Sequence, residues 1–137
     1  MPMKQATLTL EDARLMIAAA EKKAEALGVP SDVAVVDAGG NLIAFERMNG
    51  AWLGSISIAI DKAWTARAFD MSTRDLSRLA GTDDPAFGIH NTNDDRVVIF
   101  PGGVPVKSGT EVIGAVGSSG GKPDEDHAIA QAAVAAL

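Results

Sequence analysis

A glycine-rich segment between Phe100 and Gly121 constrains the fold of this chain more than any other part of the sequence. Two valine-rich runs in it flank the turn sequence Lys107-Ser108-Gly109-Thr110, which is typical of a β-hairpin. Gly114 lies inside the second run, where a glycine indicates a β-bulge or the close approach of another backbone or of a ligand. The run ends in Ser118-Ser119-Gly120-Gly121 before a helical segment. Since side chains are missing at that exit, the segment predicts the wall of a ligand pocket.

The other elements follow from periodicity and from helix-capping residues. Apolar residues spaced by three and four between Thr9 and Gly28 predict a first helix. The segment 55–69 is apolar on nearly every side, which is typical of a central, buried helix. The remaining predictions are strands at 33–36, 42–47 and 96–100, a short helix from 73 to about 80, and a last helix at 123–137. The order α-β-β-α-α-β-β-β-α predicts a single α+β domain over residues 1–137, with a five-stranded antiparallel sheet packed by helices.

Composition excludes several kinds of chemistry. The chain has no cysteine, so disulfides, thiolate metal sites and cysteine nucleophiles are excluded. Its formal net charge of −6 argues against nucleic acid or an anionic membrane as the main partner. The sequence contains neither a signal-peptide pattern nor an apolar stretch long enough to cross a bilayer. We therefore expect a cytoplasmic protein.

Five motifs occur in order along nearly the whole chain. They are Thr9-Leu10-Glu11-Asp12-Ala13, Val35-Val36-Asp37-Ala38-Gly39-Gly40, Asp61-Lys62-Ala63 followed by Thr65-Ala66, Phe100-Pro101-Gly102-Gly103-Val104-Pro105, and Gly114-Ala115-Val116-Gly117-Ser118-Ser119-Gly120-Gly121. Together they resemble the haem-binding protein family of the HbpS/GlcG type (DUF336), which includes the C-terminal domain of PduO-type proteins. The resemblance implies a profilin-like fold and homo-oligomers, from dimers to octamers. It also implies a small-molecule ligand, haem or a related tetrapyrrole in some members, and links to haem breakdown or to cobalamin or glycolate metabolism in others.

A haem would need an axial ligand, usually His, Met, Tyr or Cys. The chain has no tyrosine and no histidine on the first helix, so the candidates are His90, His127 and the five methionines. His90 lies in an irregular acidic segment, 81–95, and is our candidate haem ligand; the alternative is an exposed loop histidine. His127 follows three acids, which should favour its charged form, and we expect it on a solvated helix face.

Other charged residues suggest a second function, that of a cofactor-independent isomerase, lyase or hydrolase acting on a small organic acid. Lys62, Asp37 and His90 are the candidate catalytic residues, because together they supply a nucleophile and proton transfer. The alternative for Lys62 is a structural pair with Asp37, with a neighbouring acid or with a partner subunit. Arg47 is a candidate clamp for an anionic group, or simply an exposed strand-end arginine.

Ligand-binding candidates in the glycine-rich segment are Gly114, Ser118, Ser119 and Gly120. The alternative for this segment is tight packing within the hairpin or between subunits. A third hypothesis is therefore an assembly protein that binds no ligand.

Overall fold

The sheet of this protein has four antiparallel strands: β1 (Asp32–Asp37), β2 (Leu42–Arg47), β3 (Gly103–Ser108) and β4 (Glu111–Ser119). The computed structural model describes all residues, 1–137. The strands lie in the order β2-β1-β4-β3, so that two hairpins meet where β1 pairs with β4. The second hairpin is the one that the glycine-rich segment predicts, and its register shifts between Val106 and Lys107, opposite the stretch that contains Gly114.

Four α-helices complete the chain: α1 (Leu10–Leu27), α2 (Ser55–Phe69), α3 (Thr73–Ser77) and α4 (Pro123–Ala135). Helix α1 begins with a capping box, in which the Thr9 side chain accepts from the Asp12 backbone and the Asp12 side chain accepts from the Thr9 backbone. It ends at Gly28, which adopts the left-handed conformation (φ +71°). No helix of the chain combines the length and the hydropathy needed to cross a membrane.

The helices lie on both faces of the sheet, because successive side chains of a strand point to opposite faces. Val33 and Val35 of β1 join the larger core cluster, which contains the buried residues of α1 and α4. Ala34 and Val36 join a smaller cluster with the alanines of α2. The result is a three-layer α+β domain, with α1 and α4 on one face of the sheet and α2 on the other.

The prediction of a fifth strand at 96–100 is wrong. The Thr65 hydroxyl, on α2, donates to the Arg96 carbonyl at 3.3 Å and accepts from the Val98 backbone N–H at 3.1 Å. Val97 between them is buried. Because a helix side chain satisfies these backbone groups, the apolar run packs along α2 and does not join the sheet.

Helix α2 is less enclosed than its sequence predicts. Its buried alanines face the sheet and its buried Thr65 faces the run 96–98, whereas Ile56, Ile58 and Ile60 stay half-buried in the single chain. Helix α2 is thus the main element of one outer layer and leaves an apolar outer side.

Candidate functional site

Glycines of the second hairpin bring α2 into direct contact with the sheet. A Cβ atom at Gly117 would lie 2.6 Å from the Ala63 backbone nitrogen, and one at Gly103 would lie 2.8 Å from Cγ2 of Thr73. Both would also clash with carbonyl oxygens of α2. The glycines that predicted a pocket wall therefore accommodate the helix itself, and no cavity lies between α2 and this hairpin in the single chain.

Gly114 and Gly120 are closed by other parts of the chain. A Cβ atom at Gly114 (φ +158°) would lie 2.5 Å from the Val36 carbonyl oxygen and from Cδ1 of Leu8. At Gly120 (φ +153°), the Pro30 carbonyl and, 3.1 Å away, Cα of Ser31 occupy the corresponding space. The expected close approach at Gly114 is confirmed, and the approaching groups are the Val36 backbone and the Leu8 side chain.

Lys62 forms a buried ion pair with Asp126 of α4. Its Nζ lies 3.0 Å from Oδ2 of Asp126 and donates to the Ser118 carbonyl at 2.9 Å. The Lys62 side chain is 0% exposed and that of Asp126 is 5% exposed. The second carboxylate oxygen of Asp126 accepts from the Gly121 backbone N–H at 2.9 Å. The pair thus joins α2, the end of β4 and the first turn of α4.

Burial sets the direction of both pKa shifts in this pair. Desolvation lowers the pKa of Lys62 and raises the pKa of Asp126, and the attraction between the two charges opposes each shift. Each partner is therefore stabilised in its charged form mainly by the other. Lys62 is inaccessible to a ligand while the pair is closed.

The N-terminal end of β1 carries a second buried carboxylate, that of Asp32. Asp32 is fully buried and neither of its side-chain oxygens has a hydrogen-bond partner. It lies opposite Ser119 on one side and Arg47 on the other. Burial raises the pKa of Asp32, and the Arg47 charge lowers it by less. The Ser119 hydroxyl is occupied elsewhere, because it donates to the Ser55 hydroxyl at 2.9 Å. Arg47 and Ser119 thus flank a carboxylate that the sequence did not single out.

The two histidines lie in different environments. His127 is 5% exposed, and neither ring nitrogen has a hydrogen-bond partner. Our expectation of a solvated, charged His127 is wrong, because burial lowers its pKa and the nearby Arg74 lowers it further, against the opposing charges of Asp75 and Asp124. His90 is half-buried, with its Nδ1 enclosed and unpartnered. Its ring lies 6.2 Å from that of Phe87, edge to face.

One open pocket of about 270 Å³ lies where the turn after β1 meets α2. One of the sequence motifs lines it: the turn supplies Ala38, Gly39 and Gly40, and the helix supplies Trp64, Arg67 and Ala68, which lie beside the helix motif. The turn is held by the Asp37 side chain, whose Oδ1 accepts from the backbone N–H groups of Gly39 and Asn41 at 2.9 and 3.0 Å. Asp37 therefore shapes this pocket through hydrogen bonds to its backbone.

The candidate catalytic residues that the sequence predicts do not lie together in the structure. Asp37 pairs with Gly114 at one end of the β1–β4 ladder, whereas the Lys62 ammonium contacts Ser118, four residues further along β4. That separation corresponds to about 13 Å along a strand. Lys62 and Asp37 therefore do not form one cluster.

Sequence reasoning missed four residues that complete these places: Asp32, Asp126, Trp64 and Arg67. Arg67 directly follows the Thr65-Ala66 motif, and that position is the signal that could have identified it. Asp126 is the third of three consecutive acidic residues, and nothing in that run distinguishes the buried one. No group of three or more His, Cys, Asp or Glu side chains is placed to hold a metal ion.

These features define the chain as a small three-layer α+β domain in which a glycine-rich hairpin receives one helix. The chain belongs to the family described as haem degrading protein HbpS-like, whose model matches residues 8–135. This confirms the resemblance that the sequence motifs carry.

Comparisons with individual proteins agree with that assignment. The chain is 40% identical over 129 residues to a 15.0 kDa protein of the dhaT-dhaS intergenic region of Citrobacter freundii, covering 94% of this chain and 91% of the relative. The crystal structure of Klebsiella pneumoniae ORFY superimposes with a TM-score of 0.96 at 38% identity, covering 98% and 93% of the two chains. The structure of a PduOC complex with haem superimposes with a TM-score of 0.91 at 36% identity, covering 95% and 94%.

Proposed function

We propose that this protein is a homo-oligomeric small-molecule-binding protein whose ligand is haem or a related tetrapyrrole. The observation that carries the proposal is the likeness to PduOC in its complex with haem, at 36% identity over 94% of that chain. The family description, which refers to haem, agrees with this ligand class. The features of this chain that suit such a ligand are an imidazole and an apolar surface beside it.

His90 is the residue best suited to bind the iron. The enclosed Nδ1 of His90 has no partner in the protein, and its Nε2 is not among the buried nitrogens. Both ring nitrogens of His127, by contrast, are enclosed. Since an axial ligand must reach the iron with a free lone pair, His90 offers a nitrogen at the surface and His127 does not.

An apolar surface next to His90 suits the macrocycle. Leu79 is 41% exposed and Phe87 is 58% exposed. The Ala86 backbone N–H donates to the Leu79 carbonyl at 2.8 Å, which holds the two segments together. We call Leu79, Phe87 and His90 the His90 surface. Exposed apolar groups of this kind are typical of ligand and protein contacts.

A second copy of the chain would enclose the ligand. The pocket of about 270 Å³ is smaller than the roughly 300–1,000 Å³ that encloses a drug-sized molecule, and a tetrapyrrole is at least as large as such a ligand. A macrocycle on the His90 surface therefore needs another wall. Trp52 and Leu53 are 66% and 73% exposed, and an assembly would bury them as well.

Haemin titration tests this proposal. The wild-type protein is expected to give a saturable shift of the Soret band, and His90→Gln to weaken binding at least tenfold and change the iron coordination seen by electron paramagnetic resonance. Phe87→Ser should weaken binding by roughly tenfold. Full burial of a Phe side chain contributes about 1.5–3 kcal/mol, and the lower end of that range, which suits a ring that is covered on one side, corresponds to about tenfold in affinity. Light scattering with and without haemin reports the assembly.

His127→Gln is the matched control, since it makes the same chemical change at an enclosed site. Circular dichroism shows that each variant keeps its fold. A Soret shift that is the same in wild type and His90→Gln would rule out the assigned ligand. No saturable shift in the wild type would rule out haem as the ligand.

A further inference from the structure

The pocket between the turn after β1 and helix α2 contains hydrogen-bond donors that have no partner, on side chains that other contacts hold in place. We infer that this pocket, lined by Gly39, Gly40, Trp64 and Arg67, binds a small monocarboxylate. The inference does not depend on haem, because the pocket lies on other elements than the His90 surface and is tested without a tetrapyrrole.

Arg67 supplies an oriented positive charge. Its Nε donates to the Ala38 carbonyl and its Nη1 to the Asp70 carboxylate, both at 2.6 Å. Its side chain is only 23% exposed. Two of the three guanidinium nitrogens are thus held by the protein, and Nη2 makes no hydrogen bond within it. That nitrogen is available to a ligand oxygen.

Trp64 supplies a second donor on the same side of the helix. Residues three apart on a helix are neighbours on its surface, so the indole lies beside the guanidinium. The Arg96 guanidinium carbon lies 4.4 Å from the centre of the Trp64 ring, and a Cβ atom at Gly40 would lie 3.2 Å from its Cδ1. The ring is therefore held on two sides, while its Nε1–H makes no hydrogen bond in the protein. One carboxylate can accept from Nη2 of Arg67 and Nε1 of Trp64 with its two oxygens.

Size and charge restrict the ligand further. A volume of about 270 Å³ equals the share of roughly nine liquid waters, which admits a molecule of a few carbon atoms. Asp70 already neutralises part of the Arg67 charge, and the Asp37 carboxylate lies in the adjoining turn. A second negative charge on the ligand would be repelled. A monocarboxylate therefore fits better than a phosphate dianion.

The indole N–H signals in a ¹⁵N correlation spectrum test this inference. The chain has two tryptophans, so Trp52→Phe identifies the signal of Trp64. Acetate is expected to move that signal saturably at constant ionic strength, whereas acetamide, its neutral counterpart, leaves it in place. An equal shift with acetamide, or with sodium chloride alone, would overturn the assignment of a carboxylate site.

A matched pair of variants provides the second test. Ala68 lines the pocket and is exposed, so Glu and Gln differ there mainly in charge. Ala68→Glu is expected to bind acetate at least tenfold more weakly than Ala68→Gln. Equal affinities of the two variants would refute a site that selects negative charge. Haemin binding by the wild type is a separate measurement, and its failure would leave this result standing.

Discussion

Replacing Asp126 by asparagine should destabilise the fold strongly, because it removes the charge that faces Lys62 and keeps the shape of the side chain. The ammonium would remain 0% exposed, with the Ser118 carbonyl at 2.9 Å and the Phe100 ring at 5.1 Å. At 3.0 Å the Coulomb attraction is about 5 kcal/mol for an effective dielectric constant of about 20. Breaking a buried pair in other proteins costs about 3–5 kcal/mol.

We expect a loss of about 3 kcal/mol for Asp126→Asn at neutral pH, at the lower end of that range. Lys62 can respond by releasing its proton, because burial already lowers its pKa. In the window between the lowered folded pKa and the normal unfolded value, the unfolded chain holds more protons. The stability of Asp126→Asn should therefore rise relative to wild type as the pH increases through that window. A loss of this size is a large part of the roughly 5–15 kcal/mol of a typical domain.

Urea unfolding followed by circular dichroism measures the effect in wild type, Asp126→Asn, Lys62→Met and the double variant. Methionine keeps the apolar stem of Lys62 and removes its charge. The double variant should be more stable than the sum of the single losses predicts, by about 2 kcal/mol or more. The reasoning is refuted if Asp126→Asn loses less than about 1 kcal/mol and the coupling energy is close to zero. In that case the apolar contacts of α4 anchor it without the pair.

Three further changes test other contacts. Gly117→Ala should lower the free energy of unfolding in urea by about 3 kcal/mol or more, because its Cβ would meet the α2 backbone. Gly109 lies in open space at φ +63°, so the control Gly109→Ala should lower it by only about 1 kcal/mol. Equal losses in the two variants would contradict this account. Glu21→Gln should stabilise the fold by about 1 kcal/mol near pH 8 and not near pH 4. Burial and the neighbouring Glu46 raise the pKa of Glu21 to about 7, so the ionised carboxylate opposes folding above that pH. A gain in stability that is independent of pH would argue against this explanation. His127→Leu should reduce the loss of stability on acidification below about pH 6.5. Burial lowers the pKa of His127, so the unfolded chain takes up the proton first as the pH falls. Thermal unfolding at several pH values measures this effect, and the same loss of stability in acid for variant and wild type would contradict it.

Much of the fold was predictable because it depends on local patterns. Helix α1 begins after Thr9 and stops at Gly28 as its capping residues predict, and α2 has the predicted bounds. The hairpin of β3 and β4 forms around its predicted turn. Capping, periodicity and turn signals depend on a few neighbouring residues, and so they can be identified in a single sequence.

The candidate site was less predictable because its parts come from distant segments. The sequence marks Lys62 as a candidate nucleophile or ion-pair partner, but the acid that it faces lies 64 residues away in the chain. Arg67 and Trp64 attracted no attention, since their roles follow from the turn that packs against them. His90 lies within the irregular segment 81–95, in a single turn of 3-10 helix, and Asp37 is the last residue of β1. The functional roles of both residues stay predictions.

Local sequence patterns are sufficient to locate most helices and turns and to identify the family motifs, because capping, periodicity and turn chemistry act over a few residues. Long-range packing is what keeps the run 96–100 out of the sheet, since Thr65 of α2 satisfies its backbone groups. Long-range packing also buries His127 and brings Lys62 to Asp126. Burial and charge pairing depend on which distant segments meet, and that information is in no single stretch of the chain.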